Sequence, residues 1–421
     1  MEKNDSLYYN NVILCYECCD VFQIHKKCNL KNLTVFLKLF YLFILSVKDG
    51  CNPSKVEIST DCNFLEVFMK RFIIGSLIFA MITAKFFAYN PPAGAEDFCL
   101  ISSPLGLSGS IFTAGNISNP SGAESIVVNP ALTAENQRIN LNASCTFLFD
   151  NESLNKKQSG FAFQTAILIP TKMFVFSGYM NGTFVPFSYD MYLGNSFNIK
   201  AGLSKEITEK LNIGISVNSG LEWNPGSDWA LGFNCGFVYN HGQLGFLQNF
   251  RYGASILNIG KNYKPSDSVG LDISHAISAY PSLFTIKLGA AGSVFKNDLF
   301  DICTALDFTI PAFQNIIIDL NLQFTLKQML SLSVGEKINI IESVRGHNNY
   351  IPSVGLFYKF SFNVKNNEYL ASRDWSESEM RVSAAYKNMY ENVNAISTGV
   401  DIELGMKDTT PPQISIMIDE E

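Results

Sequence analysis

Ile139-Asn140-Leu141-Asn142-Ala143-Ser144-Cys145-Thr146-Phe147-Leu148-Phe149 is the stretch from which the fold is read. Its odd positions, Ile139, Leu141, Ala143, Cys145, Phe147 and Phe149, are apolar, and Asn140, Asn142, Ser144 and Thr146 lie between them. Successive side chains of a strand point to opposite faces, so this segment carries one greasy wall and one wet wall.

The period of two persists to Leu404. Leu211, Ile213, Ile215 and Val217 alternate with Asn212, Gly214, Ser216 and Asn218, and Trp229, Leu231, Phe233, Cys235, Phe237 and Tyr239 enclose Gly232, Asn234 and Gly236. Ile316, Ile318, Leu320, Leu322 and Phe324 are followed by Leu330, Leu332 and Val334, then by Val354, Leu356, Tyr358, Phe360 and Phe362. Met380, Val382, Ala384 and Tyr386 precede Ile396, Thr398, Val400, Ile402 and Leu404. With weaker segments near 161–169, 173–181, 196–204, 250–258, 284–294 and 301–309, the chain holds roughly fourteen strands, each near the ~9–11 residues that cross a bilayer at a tilt. The expectation is an all-β fold, a transmembrane antiparallel β-barrel of about fourteen strands with an N-terminal plug.

A soluble β-sandwich or a solenoid also alternates, but sandwich strands are usually ~5–6 residues long. Soluble strands also carry Lys, Glu, Arg and Thr outward, whereas the wet wall here is mostly Gly, Ser and Asn. The 421 residues are 47% hydrophobic, with a net charge of −7 and a mean hydropathy of +0.11. Those values are too low for a helical membrane protein and fit a barrel in which half of each strand meets lipid. No basic patch points to nucleic acid.

Met69 to Ala88, MKRFIIGSLIFAMITAKFFA, has Lys70 and Arg71 before an apolar run and small residues after it, the pattern of a secretory signal peptide. An export signal works at an amino terminus, so Met69 is expected to be the true start and residues 1–68 an upstream extension. Six of ten cysteines (Cys15, Cys18, Cys19, Cys28, Cys51 and Cys62) lie in that extension. Cys15, Cys18, His25 and Cys28 have some look of a zinc knuckle, but the second half-site is badly spaced and an apolar run, Leu33 to Val47, follows. A signal anchor is the other reading of 1–68. No metal site and no disulfide framework is expected. The division is 1–68 extension, 69–88 signal, 89–137 plug, 138–406 barrel and 407–421 tail.

Tyr89 to Gln137 is rich in Gly, Ser, Pro, Asn and Ala, residues that punctuate a backbone, and fits a hatch, a linker or a leader. Within it stands Asn129-Pro130-Ala131. The order of signal peptide, Gly/Ser stretch, Asn129-Pro130-Ala131 and amphipathic strands resembles the FadL-type long-chain fatty-acid transporters. It is closer still to their spirochaete relatives, the UPF0164 family, and to the PorV/PorQ-like barrels. The resemblance covers about residues 89–405 and implies that Asn129, Pro130 and Ala131 are hatch residues inside an outer-membrane barrel. It further implies passive movement of a hydrophobic molecule such as a long-chain fatty acid, with no cofactor, and with outer-membrane lipid and the barrel-assembly machinery as partners. The alternatives are a surface or secretion scaffold of the PorV kind that binds proteins, and a general porin. The chain departs from many such barrels by ending in Asp-Glu-Glu, after Asp408-Thr409-Thr410-Pro411-Pro412, which resembles the opening of bacterial immunoglobulin-like repeats.

Catalytic chemistry is not legible. After the extension only His241, His275 and His347 remain, all near turns or strand ends, with no nucleophile elbow, zinc helix or phosphate loop. No catalytic residue is assigned and the chain is read as a non-enzyme. Asp319, Lys359, Arg381, Asp401 and Glu403 lie on the less apolar faces of late strands. A charge facing lipid costs about 2–4 kcal/mol for Lys or Arg at mid-bilayer, which favours the lumen. There they would line a channel or hold the hatch to the wall. Phe161, Phe163, Phe184 and Phe187 are candidates for an apolar pocket, although periodicity alone does not say which wall each faces.

Overall fold

The computed structural model describes residues 91, 94–116, 122–150, 159–171, 173–184, 195–223, 227–263, 284–346, 349–362, 378–389 and 393–404. The extension, the signal segment and the tail 407–421 lie outside them. Fourteen strands follow one another: β1 (Ile139–Asp150), β2 (Ser159–Pro170), β3 (Val175–Phe184), β4 (Asn195–Thr208), β5 (Leu211–Trp223), β6 (Ser227–Leu244) and β7 (Leu247–Lys261) form the first half. β8 (Thr285–Lys296), β9 (Phe300–Pro311), β10 (Ile317–Leu326), β11 (Leu330–Asn339), β12 (Ser353–Phe362), β13 (Ser378–Asn388) and β14 (Val393–Leu404) complete the ring.

Each strand pairs antiparallel with its neighbours in sequence, and β1 pairs with β14 from Ile139↔Leu404 to Asp150↔Val393. The sheet is a closed barrel, so no strand is left as an open edge, the condition for crossing hydrocarbon. Among the described residues no helix is long and apolar enough to cross a membrane.

The burial of the two walls is the reverse of a water-soluble protein. Asn140, Thr146, Asn234, Gln323, Ser333 and Ser397 are fully buried at 0% exposure, whereas Phe147 and Leu322 are 55% exposed and Val217 and Leu356 49%. Alternation along the strands therefore sends amides and hydroxyls inward and aliphatic and aromatic side chains outward. An apolar surface running round the whole ring would drive association in water; a bilayer is its natural solvent. On β6, Trp229 and Tyr239 both face outward. They stand ten residues apart, roughly 24 Å along the axis at ~3.4 Å per residue and a tilt of about 45°, close to the ~25 Å apolar band of an outer-membrane barrel.

The two rims differ. Connections 171–174, 209–210, 245–246, 297–299 and 327–329 leave one rim, which also carries 363–377, and β1 begins and β14 ends there. Longer spans, 262–284 and 340–352 among them, leave the other, where the helix Ile340–Arg345 is capped by Asn339 and ended by Gly346 at φ 77°.

Candidate functional site

The buried wall is met by the chain that precedes β1. Beginning at the long-loop rim, the Gly94 N–H donates to Glu342 Oε1 at 3.0 Å. Asp97 accepts from Lys387 Nζ at 2.7 Å, with Lys337 Nζ 3.4 Å away. Burial works against the charge on Asp97, but Lys387 and then Lys337 outweigh it and hold the carboxyl below its usual range. Deeper in, Ser144 and Thr146 of β1 donate to the carbonyls of Ser102 and Ile101. A helical turn, Pro104–Leu107, follows, with Ser103 accepting from the Gly106 N–H at 3.1 Å and Pro104 at the first helical position. Both choices suit a helix start, since Pro has no N–H to satisfy there.

Beyond this turn the chain crosses to β9, β10 and β11. The Ser110 and Ser333 hydroxyls are 2.5 Å apart, and Asn116 donates to Gln323. Thr113 gives both its N–H and its hydroxyl to Asp307 Oδ2, at 2.8 and 2.7 Å. The return arm carries Asn129-Pro130-Ala131. Asn129 Oδ1 accepts the Ala131 N–H at 3.0 Å and so caps the 3-10 helix Pro130–Glu135. Its Nδ2 donates to the Thr113 carbonyl at 2.8 Å and the Phe237 carbonyl at 3.0 Å. One fully buried side chain thus caps a helix, ties the two arms and fixes both to β6. Thr133 meets Ser204 at 2.7 Å, the Val128 carbonyl accepts from Ser255 at 2.6 Å, and Glu135 pairs with Arg251 at 3.0 Å near the short-turn rim.

Glu124 joins this arm to the barrel seam. It accepts from Gln164 at 2.7 Å and from Asn142 at 3.4 Å. The Ala123 N–H donates to Asn140, which donates in turn to Asp401. Burial raises the Glu124 carboxyl above its usual range, against the pull of the Ser103 hydroxyl and of Arg381.

Of the residues selected from sequence, Asp319, Lys359, Arg381, Asp401 and Glu403 occupy the inward register of β10, β12, β13 and β14. Four of them come together: Arg381 lies 3.5 Å from Asp401, Lys359 pairs with Glu379, and Arg138 bridges Glu379 and Glu403 at 3.7 and 4.0 Å. Asp319 stands apart, between Asp307 and Lys337 in register.

Register answers which wall the candidate aromatics face: Phe161, Phe163 and Phe184 share the outward register with Ile167 and Phe176. They form a row of rings on the outer wall, Phe147–Phe161–Phe163–Phe184–Trp223, with centroids 5.5 to 6.4 Å apart. The physical reason is parity: each is an even number of residues from a lipid-facing side chain. Phe187 lies outside the described residues. The same wall holds an open apolar groove of about 750 Å³ among Leu141, Ile167, Met180, Ile199, Val400 and Ile402.

Asp97, Thr113, Glu124, Glu135, Arg251, Asp307, Lys337 and Lys387 were not selected from sequence. Their available signal was a lone charge or hydroxyl on the wet side of a strand, or within a Gly/Ser-rich leader. Among the described residues no group of His, Cys, Asp and Glu is arranged to hold a metal.

The fold and its contacts define a closed fourteen-stranded barrel with an apolar exterior and a polar inner wall bound to the segment ahead of β1. The sequence matches no family model and no curated protein. Among solved structures the chain is similar to the Ralstonia pickettii toluene transporter TbuX, at 11% identity over 74% of this chain and 100% of that one, TM-score 0.46. It is also similar to the Pseudomonas putida toluene transporter TodX, at 11% over 76% and 98%, TM-score 0.43. A Pseudomonas aeruginosa FadL homologue is 9% identical over 76% and 98%, TM-score 0.40.

Proposed function

We propose that this chain is an outer-membrane barrel, plugged by residues 89–137, that lets a hydrophobic molecule such as a long-chain fatty acid move passively from the exterior towards the periplasm. The observation that carries the membrane part is the inversion of burial, polar side chains in and apolar ones out, around the ring. Five short connections of six, and both barrel ends of the chain, at one rim agree with a periplasmic rim. The plug part is supported by the hydrogen bonds that segment 94–135 makes to strands on all sides of the ring. The transport part is supported by the resemblance that Asn129-Pro130-Ala131 carries.

Two measurements test this. Protein recovered from an outer-membrane fraction should run faster on an SDS gel before boiling than after it, because a folded barrel resists the detergent. The purified barrel should then bind radiolabelled oleate or toluene with competition by unlabelled ligand. A large, steady ion conductance in planar bilayers would instead identify an open porin, and co-purification with secretion components without ligand binding would identify a scaffold.

A further inference from the structure

The inner wall carries glycines where the preceding segment comes closest, and at three of them the neighbour is backbone rather than a movable side chain. A β-carbon on Gly214 of β5 would overlap the Pro130 carbonyl carbon and the Ala131 nitrogen. On Gly335 of β11 it would overlap the Ser108 carbonyl oxygen, and on Gly253 of β7 the Thr113 carbonyl oxygen. Glycine is the residue that permits such an approach. A strand interior otherwise gains nothing from it, since glycine weakens a strand and packs no side chain. The three sites sit on separate parts of the ring, and each is reinforced by a polar contact beside it: Asn129 to Phe237, Ser110 to Ser333, and Thr113 to Asp307.

We propose that Gly214, Gly253 and Gly335 are positioning residues that form a three-point keyed seat, holding the plug in one place and orientation in the resting barrel. Side-chain notches add to it, with Gly236 facing Asn129 and Gly399 facing Pro104. Three contacts that are not collinear fix a body against both sliding and rotation, so losing any one of them frees the plug to rock about the other two. A β-carbon at any one of them lifts the local backbone and carries the hydrogen bonds beside it out of range. The inference rests on the plugged-barrel reading, and its test reads the seat separately from membrane insertion.

The test uses the full chain with Ser110→Cys and Ser333→Cys, whose side chains replace the two hydroxyls in contact, and a second pair, Thr133→Cys with Ser204→Cys. Mild oxidation should close both bridges nearly completely in protein that keeps its heat-shifted gel band. Adding Gly214→Ala, Gly253→Ala or Gly335→Ala should lower the bridging rate about tenfold or more and raise bilayer conductance. Gly292→Ala, where a β-carbon finds its first neighbour at 3.4 Å, is the control and should leave both unchanged. Equal bridging in the three alanine variants and the control, all with heat-shifted bands, would overturn the seat. If an alanine variant yields no folded band, the parent pairs still decide: a folded parent that fails to bridge at both sites refutes a fixed plug. Loss of the heat shift in the parent itself would instead strike at the barrel reading.

Discussion

Thr113 donates twice to a single oxygen of Asp307, through its backbone N–H at 2.8 Å and its hydroxyl at 2.7 Å. This places a carboxylate of β9 directly against the turn at which the preceding segment reverses. Asp307→Ala leaves a buried N–H without its acceptor, which costs about 1–3 kcal/mol. Asp307→Asn keeps an acceptor oxygen and should lose less. Heating before electrophoresis checks this: the temperature at which the fast band disappears should fall in the order parent, Asn, Ala. Equal midpoints for Asn and Ala would mean that acceptance by this oxygen is not what matters.

At the other end of the segment Asp97 faces two lysines, Lys387 of β13 and Lys337 of β11. All three side chains are largely buried, so neither lysine is readily resolvated when the carboxylate is removed. Breaking such a pair from one side typically costs about 3–5 kcal/mol. Asp97→Ala should therefore destabilise the protein more than Lys337→Ala, which leaves Asp97 with its shorter partner. Limited proteolysis reads it locally: cleavage near residues 94–103 should speed up in Asp97→Ala before the strands become sensitive.

The strands were legible because one physical rule, alternation between two solvents, governs residues 139–404. Even weak segments such as 196–204 obey it, with Ile199 and Leu203 outward and Ser204 buried. The charged members of the wet wall, Lys359, Arg381, Asp401 and Glu403, followed from the same rule. The aromatic residues did not, because Phe161 and Phe163 are apolar whichever wall they occupy, and only the register with Phe184 and Gly182 settles their side. The contacts of Asp97, Thr113 and Glu124 were illegible for another reason. They join residues up to 290 apart in sequence, from a segment without regular period. Asn129 was visible as the first residue of Asn129-Pro130-Ala131, but neither its cap on the Ala131 N–H nor its bond to the Phe237 carbonyl was.

Val217 sits at the centre of β5 and faces outward, while its neighbour Asn218 is buried within the ring. Val217→Arg should cost about 2–4 kcal/mol in a bilayer, the penalty for a basic side chain at the midplane. Leu211→Arg, at the short-turn end of the same strand, should cost about 0–1 kcal/mol. Guanidinium titration of protein folded into vesicles gives both values. A penalty that does not depend on depth would mean that this wall does not face hydrocarbon.

Glu342 lies outside the strands and accepts from the Gly94 N–H. Burial pushes its carboxyl up to about 7, with the Gly94 bond pulling the other way and Asp97 and Glu96 adding to the rise. The folded protein then holds a proton that the unfolded chain releases from about pH 4.5 upward. Stability falls as pH rises between those two values and is level above about 7. Asp97 has the opposite sign, since its lowered carboxyl contributes stability that is lost only as pH falls below the usual carboxylate range. Glu342→Gln should lessen the decline between about pH 5 and pH 7, to which the raised Glu124 carboxyl also adds, and leave the acid limb in place. Midpoints of thermal unfolding across that range decide it, and an unchanged slope in the variant would assign the decline elsewhere.

The hairpin joining β10 and β11 turns on Lys327 and Gln328, with φ of 51° and 56°. Met329 N–H closes it on the Leu326 carbonyl at 3.0 Å. Two consecutive left-handed residues make the tight turn that matches the twist of paired strands, a geometry that favours Asn-Gly. A residue with a β-carbon in that region carries a cost of about 1–2 kcal/mol. Lys327→Asn with Gln328→Gly should recover about 1 kcal/mol, because Asn tolerates the left-handed region and Gly adopts it without penalty. The gain is bounded by the extra freedom that glycine gives the unfolded chain, which works against it. Denaturant midpoints of the double variant against the parent measure the net effect. A lower midpoint would mean that the Lys327 N–H bond to the Leu299 carbonyl, at 2.7 Å, depends on the native pair and outweighs the relief of strain.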